Sequence, residues 1–430
     1  MYELAIIGAG WAGFNAAIRA RQLGLKTVLI EKGQIGGTCL NRGCIPTKTL
    51  IQSAKIYHLT KKAKTFGVEI PQANLNFSQI QSRKDSVVAK LRQGMDYMLK
   101  GIDILSGTAE IIDPNTIKAV DKEVKAKNIL LACGAKPIEL NNIKFDHRKI
   151  VSSDDILDLK ELPGSLLIIG GGVIGCEFAS LFSTFGVKVS VVEKMPQLLP
   201  GEDKEAAKKL ENIFKKKGIS VSTDTDATGL GLDKYDLVLL CIGRVPDLEG
   251  LGLDKLGIKM ERNRIVTDEY LRTCIPNLYA AGDCTGKIML AHFAAYQGRI
   301  ASENIAHPDS LKKADNAVVP NCIFTDPEIA SVGLNEEQAR AKGYAAGVNK
   351  FDFLGSGMAH ILDETEGFLK VIFDKNSQDI LGGVIIGPRA TELIAILTLA
   401  VSSRLKVSQI RDTIFAHPSI SESIAEVFKP

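Results

Sequence analysis

The sequence predicts an α/β protein with two Rossmann-like domains and a smaller α+β domain near its C-terminus. The first observation is a repeated glycine motif, which occurs as LAIIGAGWAG at 4 to 13 and as LLIIGGGVIG at 166 to 175. The second is FLKVIFDKNSQDILGGVIIG, two strand patterns around a turn, followed by the helix pattern ATELIAILTLAVSSR. A chain of 430 residues, 45% of them hydrophobic, is long enough for two or three such domains.

The composition excludes several classes of function. With 53 basic and 50 acidic side chains the formal charge is only +3, which argues against binding to nucleic acid or an anionic membrane. The apolar run LIAILTLAV at 393 to 401 is shorter than the roughly 20 residues of a membrane-spanning helix. The opening MYELAIIGAG enters a strand pattern at once and leaves no room for a secretory signal. We therefore expect a cytoplasmic protein, although a mature mitochondrial chain would look similar.

Each glycine motif has a strand before it, a helix pattern after it and an acid at the end of the next strand. Glu31 follows Gly8 by 23 residues, and Glu193 follows Gly170 by the same distance. The glycines allow a tight turn, close approach of a diphosphate and helix packing, while the acid accepts from ribose hydroxyls. The sequence thus predicts two dinucleotide sites rather than two structural turns. Their candidate contacts are Gly8, Gly10, Gly13, Glu31 and Lys32 in the first, and Gly170, Gly172, Val173, Ile174, Gly175 and Glu193 in the second.

The first unit runs directly into a cysteine segment, so we expect it to bind FAD, whose flavin can exchange electrons with a disulfide. In NLYAAGDCTG at 277 to 286, Asp283 follows a strand and is placed to accept from a ribityl hydroxyl; a helix N-cap is the alternative. The second unit then takes NAD(P). Glu193 would repel a 2′-phosphate, and Lys194 is matched by Lys32 in the first unit, so NAD is favoured.

The cysteine segment reads GGTCLNRGCIPTK at 36 to 48, with Cys39 and Cys44 five positions apart. A zinc site would need further ligands, and the six histidines form no cluster with other cysteines. A structural disulfide across so short a loop would restrict little chain entropy. A redox-active pair is the remaining interpretation. The other cysteines lie in or beside apolar runs and are expected to be buried: Cys133, Cys176, Cys241, Cys274, Cys284 and Cys322.

The two sulfurs are expected to have different roles. Pro46 looks like the first position of a helix, which places Cys44 near a helix N-terminus, where a thiol pKa is lowered. Cys44 is therefore the candidate for the sulfur facing the flavin, and Cys39 for the sulfur that exchanges with substrate. Lys48 is expected to pair with an acid beside the flavin, with Glu177 as the candidate; a solvated lysine and a first-turn glutamate are the alternatives.

A dithiol substrate also needs a base, and FAHPSISESIAEVFKP near the C-terminus offers His417 with Glu422 five residues later. His417 would take the thiol proton while Glu422 orients its ring. Ser419 and Glu422 also form the sequence of a capping box, S-x-x-E, and the two interpretations are compatible.

Together, GGTCLNRGCIPTK, GGGVIG with Glu193, AAGD, MLAH at 289 to 292 and HPSISE resemble the pyridine nucleotide-disulfide oxidoreductases, most closely the members that oxidise dihydrolipoamide. The resemblance implies an FAD domain at 1–150 with a return segment at 269–315, an NAD domain at 151–268 and an interface domain at 316–430 that forms a homodimer. It also implies that Cys39, Cys44, His417 and Glu422 are catalytic, with His417 supplied by the other subunit. Further cofactor contacts implied by it are Gly37, Thr38, Lys48, Gly107, Cys133, Gly134, Glu177, Gly243, Asp283, Met289, Leu290, Ala291 and His292.

The expected reaction is electron transfer from protein-bound dihydrolipoyl groups to NAD⁺. The expected partner is a lipoyl-bearing protein or acyltransferase of a 2-oxo acid dehydrogenase or glycine cleavage system. An NAD(P)H-dependent reductase of glutathione or another small disulfide, and a non-catalytic flavin-binding scaffold or redox sensor, are the alternatives.

Three features depart from the pattern of those members. Phe415 stands where another histidine is common, Cys133 replaces a usual threonine, and 218–237 has little room for the extra strands expected there.

Overall fold

The computed structural model describes residues 1–429. Its N-terminal part forms a sheet in which four strands run parallel in the order β3-β2-β1-β6, and β5 and β4 continue it antiparallel. Leu4, Ala5 and Ile6 are fully buried because the central strand is covered on both faces. The elements are β1 Tyr2–Ile7, α1 Trp11–Gln22, β2 Thr27–Glu31, α2 Gly37–Arg42, α3 Cys44–Lys62, α4 Phe77–Met98, β3 Asp103–Ser106, β4 Ala109–Asp113, β5 Thr116–Ala119, β6 Lys122–Leu131 and β7 Ala135–Pro137.

The next part forms a second, fully parallel sheet in the order β11-β10-β9-β12-β8. The segment 218–237 holds one short strand and a 3-10 turn at Leu232–Lys234, so the expected lack of extra strands is confirmed. The elements are β8 Ile150–Val151, β9 Ser165–Ile169, α5 Val173–Thr184, β10 Lys188–Val192, α6 Lys204–Lys216, β11 Ser220–Ser222 and β12 Leu237–Leu240.

The chain then returns to the first sheet. Its strand β13 pairs antiparallel with β7, and β16 adds parallel to the C-terminal half of β6. The following helix, α7, packs on α1 so closely that a Cβ at Gly298 would lie 2.1 Å from the Ala12 carbonyl oxygen, so only glycine fits there. The elements are β13 Arg244–Pro246, β14 Met260–Glu261, β15 Arg264–Ile265, β16 Leu278–Ala280 and α7 Ala291–Ala306.

The C-terminal part is an antiparallel sheet in the order β17-β18-β21-β20-β19, with α10 packed against β18 and β21. The two predicted strands and the predicted helix are β20, β21 and α10. Leu399 of α10 is 63% exposed. The elements are β17 Asn321–Ile323, β18 Glu328–Gly333, α8 Glu336–Ala341, β19 Ala346–Asp352, α9 Gly357–Leu362, β20 Phe368–Asp374, β21 Ile380–Gly387, α10 Ala390–Ser402, α11 Val407–Arg411 and α12 Ser423–Glu426.

This architecture confirms the predicted fold class of two Rossmann-like units and an α+β domain. The exact domain limits given above stay predictions. Among residues 1–429, no helix has both the length and the apolar character that crossing a bilayer requires.

Candidate active site

The first glycine turn joins β1 to α1 at the carboxyl edge of the first sheet. Gly8 has a φ of +102°, and a Cβ there would lie 2.3 Å from the Ala132 carbonyl oxygen. A Cβ at Gly13 would lie 1.8 Å from the Gly8 carbonyl oxygen. Gly10 is the N-cap of α1, so free N–H groups of the first turn face the space beyond it. The turn is therefore built for an anion at the helix N-terminus.

The second glycine turn repeats this geometry between β9 and α5. Gly170 has a φ of +112°, and a Cβ at Gly175 would lie 1.9 Å from the Gly170 carbonyl oxygen. Gly172 is the N-cap of α5, with no other atom within 4 Å of its added Cβ, so the space in front of the helix is open. Val173 and Ile174, the first residues of α5, are half-buried beside it.

The two acids at the ends of β2 and β10 are held in the same way. Glu31 accepts the backbone N–H groups of Ala9 at 2.6 Å and Gly33 at 2.7 Å. Glu193 accepts those of Gly171 at 2.6 Å and Met195 at 2.7 Å. Each carboxylate is thus fixed at its strand end and keeps lone pairs for further donors.

Each of the neighbouring lysines forms an ion pair with an aspartate. Lys32 Nζ lies 2.7 Å from Asp247 Oδ2, and Lys194 Nζ lies 3.3 Å from Asp226 Oδ2. Both lysines are exposed. Lys32 and Lys194 therefore have equivalent surroundings in the two units, as the sequence indicated.

Several other predicted cofactor contacts gather at the carboxyl edge of the first sheet. Gly107 follows β3 and donates its N–H to the Glu31 carbonyl at 2.8 Å. Cys133 and Gly134 follow β6, and the Cys133 Cα would lie 3.2 Å from a Cβ on Gly8. Asp283 follows β16, and burial raises the pKa of its carboxyl, opposed by Arg244.

The N-cap alternative for Asp283 does not hold. Asp283 itself lies in a 3-10 turn whose N-cap is Gly282, and α7 begins after its own N-cap, Leu290.

Met289 and Ala291 flank that N-cap, and His292 binds the Pro320 carbonyl through Nε2 at 2.9 Å. Burial lowers the pKa of His292. Gly243, with a φ of +130°, follows β12 and accepts the N–H of Ile138 at 3.1 Å.

The cysteine pair lies where α2 meets α3, and the structure corrects one expectation. The long helix begins at Cys44, two residues before Pro46, so Cys44 is its first residue. Proline is tolerated there because the amides of the first turn have no carbonyl partner within the helix. Cys39 lies on α2, which starts at Gly37 and includes Thr38 in its first turn. Both cysteines are half-buried free thiols.

The surroundings of the pair shift the pKa values of the two thiols in opposite directions. The pKa of Cys44 is lowered to about 7 by the Cys39 thiol, with help from the Lys48 charge, while burial and Glu177 act in the opposite direction. The pKa of Cys39 is raised by the Cys44 thiol and by burial. As pH rises, Cys44 is therefore the first of the two thiols to lose its proton.

Lys48 and Glu177 form the ion pair that the sequence indicated. Lys48 Nζ lies 2.7 and 2.6 Å from the two carboxylate oxygens, and the Glu177 side chain is only 4% exposed. Phe324 completes the cluster, because its N–H donates to Glu177 Oε1 at 3.0 Å and its ring centroid lies 4.8 Å from Lys48 Nζ. The pair thus joins α3, α5 and the segment after β17, one turn along α3 from Cys44.

His417 and Glu422 are also together, with 2.9 Å between Nδ1 and Oε1. Glu422 Oε2 accepts the Ser419 N–H at 2.9 Å, so the capping box is present as well. Both hydrogen bonds lower the pKa of Glu422, and the bond from the Ser419 N–H has the larger effect. The His417 side chain is 81% exposed, and within the described chain no hydrogen bond joins it to either cysteine of the pair.

The expected burial of the remaining six cysteines is confirmed for three of them. Cys176, Cys241 and Cys284 are buried, and Cys133 and Cys322 are half-buried. Cys274 is exposed, so its expected burial was wrong; it lies in the loop before β16, where its sulfur accepts the Lys259 N–H at 3.3 Å. Residues 1–429 contain no cluster of three or more potential metal ligands.

Comparison with known proteins assigns a family to this geometry. Residues 2–298 match the family described as pyridine nucleotide-disulphide oxidoreductase, and residues 319–428 match its dimerisation domain. The chain belongs to the pyridine nucleotide-disulfide oxidoreductases. As a member of this family it is a flavoprotein disulfide oxidoreductase with FAD and NAD(H) as cofactors, and it carries the family's dimerisation domain.

Relatives within the family cover nearly the whole chain. A dihydrolipoyl dehydrogenase of Chlamydia muridarum is 41% identical over 99% of this chain and 96% of its own, and one of Bacillus subtilis is 38% identical over 99% and 97%. Among solved structures, LpdA of Mycobacterium tuberculosis has a TM-score of 0.92 at 31% identity, covering 100% of this chain and 99% of its own. The HOCl-induced flavoprotein disulfide reductase RclA of Escherichia coli has a TM-score of 0.88 at 31% identity, covering 99% of each chain.

The residues present fit both dinucleotides. A Cβ on Gly37 would lie 2.6 Å from Gly10 Cα, so the N-termini of α1 and α2 meet with no side chain between them, as a bound diphosphate requires. Among residues 1–429 the buried Arg244 Nε has no hydrogen-bond partner, and the influences on the Asp283 carboxylate are burial and the Arg244 charge. A bound FAD can supply partners to both groups. The open N-terminus of α5 and the fixed carboxylate of Glu193 fit NAD in the same way.

Sequence reasoning did not identify three of the residues around this site. Phe324 contacts both members of the Lys48–Glu177 pair, and Arg244 approaches Asp283. Trp11 lies near Cys39. Arg244 directly follows Gly243, and Trp11 stands inside the first glycine motif, so both had a local signal, whereas Phe324 had none.

Proposed function

We propose that this protein oxidises protein-bound dihydrolipoyl groups with NAD⁺ through a redox-active Cys39–Cys44 pair. The observation that supports this most directly is the dithiol itself. Two half-buried thiols meet at the N-terminus of α3, one with its pKa lowered to about 7 and the Lys48–Glu177 pair one helical turn away. Inert structural cysteines lack such a polarised setting. The relatives named above as dihydrolipoyl dehydrogenases support the choice of substrate.

The chemistry begins on Cys39 of the oxidised pair. A substrate thiolate attacks the Cys39 sulfur, the bond between Cys39 and Cys44 breaks, and Cys44 leaves as a thiolate stabilised by Lys48. The second substrate sulfur then attacks the first, which closes the lipoyl disulfide and releases Cys39. Bound FAD would supply the two-electron acceptor that links this dithiol to NAD⁺. Gly170, Gly172 and Glu193 would hold the NAD⁺.

His417 is proposed as the base that takes the substrate thiol proton. Glu422 accepts from Nδ1 at 2.9 Å, which fixes the tautomer and leaves Nε2 free to receive that proton. Because the ring is 81% exposed and bonded to neither cysteine, we propose that it serves the Cys39–Cys44 pair of the other subunit in a homodimer. The interface would be formed by 316–430.

The remaining parts of the proposal concern partner, location and domain limits. The dihydrolipoyl group would be carried by a lipoyl-bearing protein or acyltransferase of a 2-oxo acid dehydrogenase or glycine cleavage system. We propose a cytoplasmic location, an FAD domain at 1–150 and 269–315, and an NAD domain at 151–268.

Substrate specificity tests the proposed reaction. We expect kcat/KM for dihydrolipoamide with NAD⁺ to exceed that for glutathione disulfide with NADPH by a factor of at least about a hundred, since a site selects by differences in transition-state binding. Anaerobic dihydrolipoamide should also produce a long-wavelength thiolate-to-flavin band. A higher value with glutathione disulfide would replace the proposal with a small-disulfide reductase, and absence of turnover with either would favour a scaffold or sensor.

Mixed dimers test the role of His417. Co-expressed His417→Gln and Cys39→Ser chains are each expected to be inactive as homodimers. Heterodimers would retain one complete site, so a random mixture should recover about a quarter of wild-type activity, as expected for a two-fold dimer. No recovery in a mixture proven to contain heterodimers would place His417 in the site of its own subunit.

A further inference from the structure

Trp11 is the only tryptophan of the chain, and it is the first residue of α1. It stands between the second and third glycines of the first motif. Its half-buried side chain packs against the apolar cluster that includes Leu40 of α2, and Ile45 of α3 packs against the same cluster. The tryptophan and both helices that carry the cysteine pair thus border one apolar cluster.

The indole N–H of Trp11 is buried without a partner. Among residues 1–429, no acceptor meets Nε1 at ordinary hydrogen-bond geometry. A buried donor left unpaired is costly, and native structures rarely keep one without a reason. The donor is therefore available to an acceptor that appears or approaches during the reaction.

The candidate acceptor for this N–H is the Cys39 sulfur. The N-termini of α1 and α2 touch, since a Cβ on Gly37 would lie 2.6 Å from Gly10 Cα. The indole N–H is near enough to lower the pKa of the Cys39 thiol, against the larger raising effects of Cys44 and burial. Hydrogen bonds at reactive groups are commonly long before the reacting state forms and then shorten.

We propose that Trp11 is a positioning residue whose indole N–H binds the Cys39 sulfur and stabilises it as the leaving thiolate. In the step concerned, the second substrate sulfur attacks the first, the new lipoyl S–S bond forms, and the bond between substrate and Cys39 breaks. The electron pair of that bond stays on Cys39, and a better stabilised thiolate leaves faster. This inference rests on the proposed exchange role of Cys39.

Other groups also act on Cys39 and must be held constant. Cys44 and Lys48, both on α3, are the ionisable groups that affect its pKa. On α2 itself Asn41 accepts from Arg92 Nε of α4 at 3.0 Å, which brings one further cation to the same helix. A Trp11→Phe substitution changes none of these charges and keeps an aromatic ring in the cluster.

Alkylation of Cys39 measures the effect directly. Reduced holoenzyme is treated with iodoacetamide from pH 6 to 10, and modification of Cys39 is followed by mass spectrometry. Loss of one hydrogen bond to the thiolate should shift the profile to higher pH and slow alkylation at pH 8 roughly tenfold in Trp11→Phe. Phe14→Leu, which alters a buried aromatic ring on the same helix, should leave the profile unchanged. An unchanged profile in Trp11→Phe would overturn the proposal.

A second measurement needs no folded variant at position 11. Because the chain has one tryptophan, the emission of reduced wild-type protein reports this site alone. Between pH 6 and 10 its emission should change in parallel with the rate of Cys39 alkylation, and this change should vanish in Cys39→Ser. Emission that does not change over this pH range would contradict the inference. These outcomes do not depend on dihydrolipoamide turnover, so failure of the proposed function and failure of this inference can be told apart.

Discussion

At the scale of single residues, the charge around Cys44 decides how the dithiol divides its work. The neighbouring Cys39 thiol and Lys48 stabilise the Cys44 thiolate, whereas burial and Glu177 oppose it. Glu177 keeps Lys48 in place with two contacts below 3 Å. The same acid therefore fixes the position of the cation and weakens its effect on the sulfur.

This balance predicts opposite effects of two substitutions. The thiolate fraction of Cys44 in reduced wild-type enzyme should rise with pH through a midpoint of about 7, because the thiol loses its proton above its pKa. Lys48→Met should move the midpoint up by about one unit, and Glu177→Gln should move it down. The long-wavelength thiolate-to-flavin band, titrated in two-electron-reduced enzyme, gives the midpoint. Equal midpoints in both variants would show that this ion pair does not control the sulfur.

At the scale of elements, the two glycine turns determine where each helix begins. In both copies the third glycine packs against the carbonyl oxygen of the first, so helix and strand approach closely and the N-terminus opens toward the edge of the sheet. Such contacts are enforced by backbone sterics within a few residues. This explains why the strand, turn and helix of both units could be predicted from the local pattern alone.

Gly13→Ala is expected to damage the first turn. Its added Cβ would lie 1.8 Å from the Gly8 carbonyl oxygen, so the backbone must shift. We expect a loss of about 2 kcal/mol or more in the free energy of unfolding, together with reduced flavin content. Urea denaturation and the flavin to protein absorbance ratio measure the two effects.

Gly94→Ala is the matched control. Gly94 is exposed within α4, and its added Cβ meets no atom within 4 Å. Alanine is the better helix former, so this variant should gain about 0.5–1 kcal/mol and keep its flavin. Similar losses in both variants would mean that the close contact at Gly13 is not the cause.

At the scale of the whole molecule, buried polar contacts join the second sheet to the C-terminal sheet. Lys370 of β20 lies 2.7 Å from Asp203, the N-cap of α6, and 3.2 Å from Glu205. The Lys370 side chain is only 8% exposed. Phe324 makes a second junction through Glu177. Helices α5 and α6 of the second unit are thus joined to the dimerisation domain by these contacts.

Removing the buried cation should loosen this junction. Lys370→Met leaves Asp203 buried without its cation, and we expect a loss of roughly 3 kcal/mol in the free energy of unfolding. Lys350→Met is the control, because Lys350 pairs with the same Glu205 but is exposed, and it should cost less than about 1 kcal/mol. Chemical denaturation measures the free energy of unfolding of both variants. Equal losses would show that burial of Lys370 does not make its ion pair more important than that of Lys350.

The sequence alone determined both strand-turn-helix units, the close Cys39–Cys44 pair and the pairing of His417 with Glu422, whereas the redox role of the two cysteines stays a prediction. Each depends on residues close together in the chain, or on a strand-turn-helix unit whose geometry follows from backbone sterics. The start of α3 at Cys44 was missed by two residues, because proline is compatible with any position of a first helical turn.

Only the tertiary structure decided what surrounds those residues. Phe324 reaches Glu177 across 147 positions of sequence, and Lys370 reaches Asp203 across 167. Trp11 comes near Cys39 because α1 and α2 abut at two glycines. Such contacts arise from the packing of separately formed sheets and helices. A local pattern cannot encode them, since it does not specify which element will lie against which.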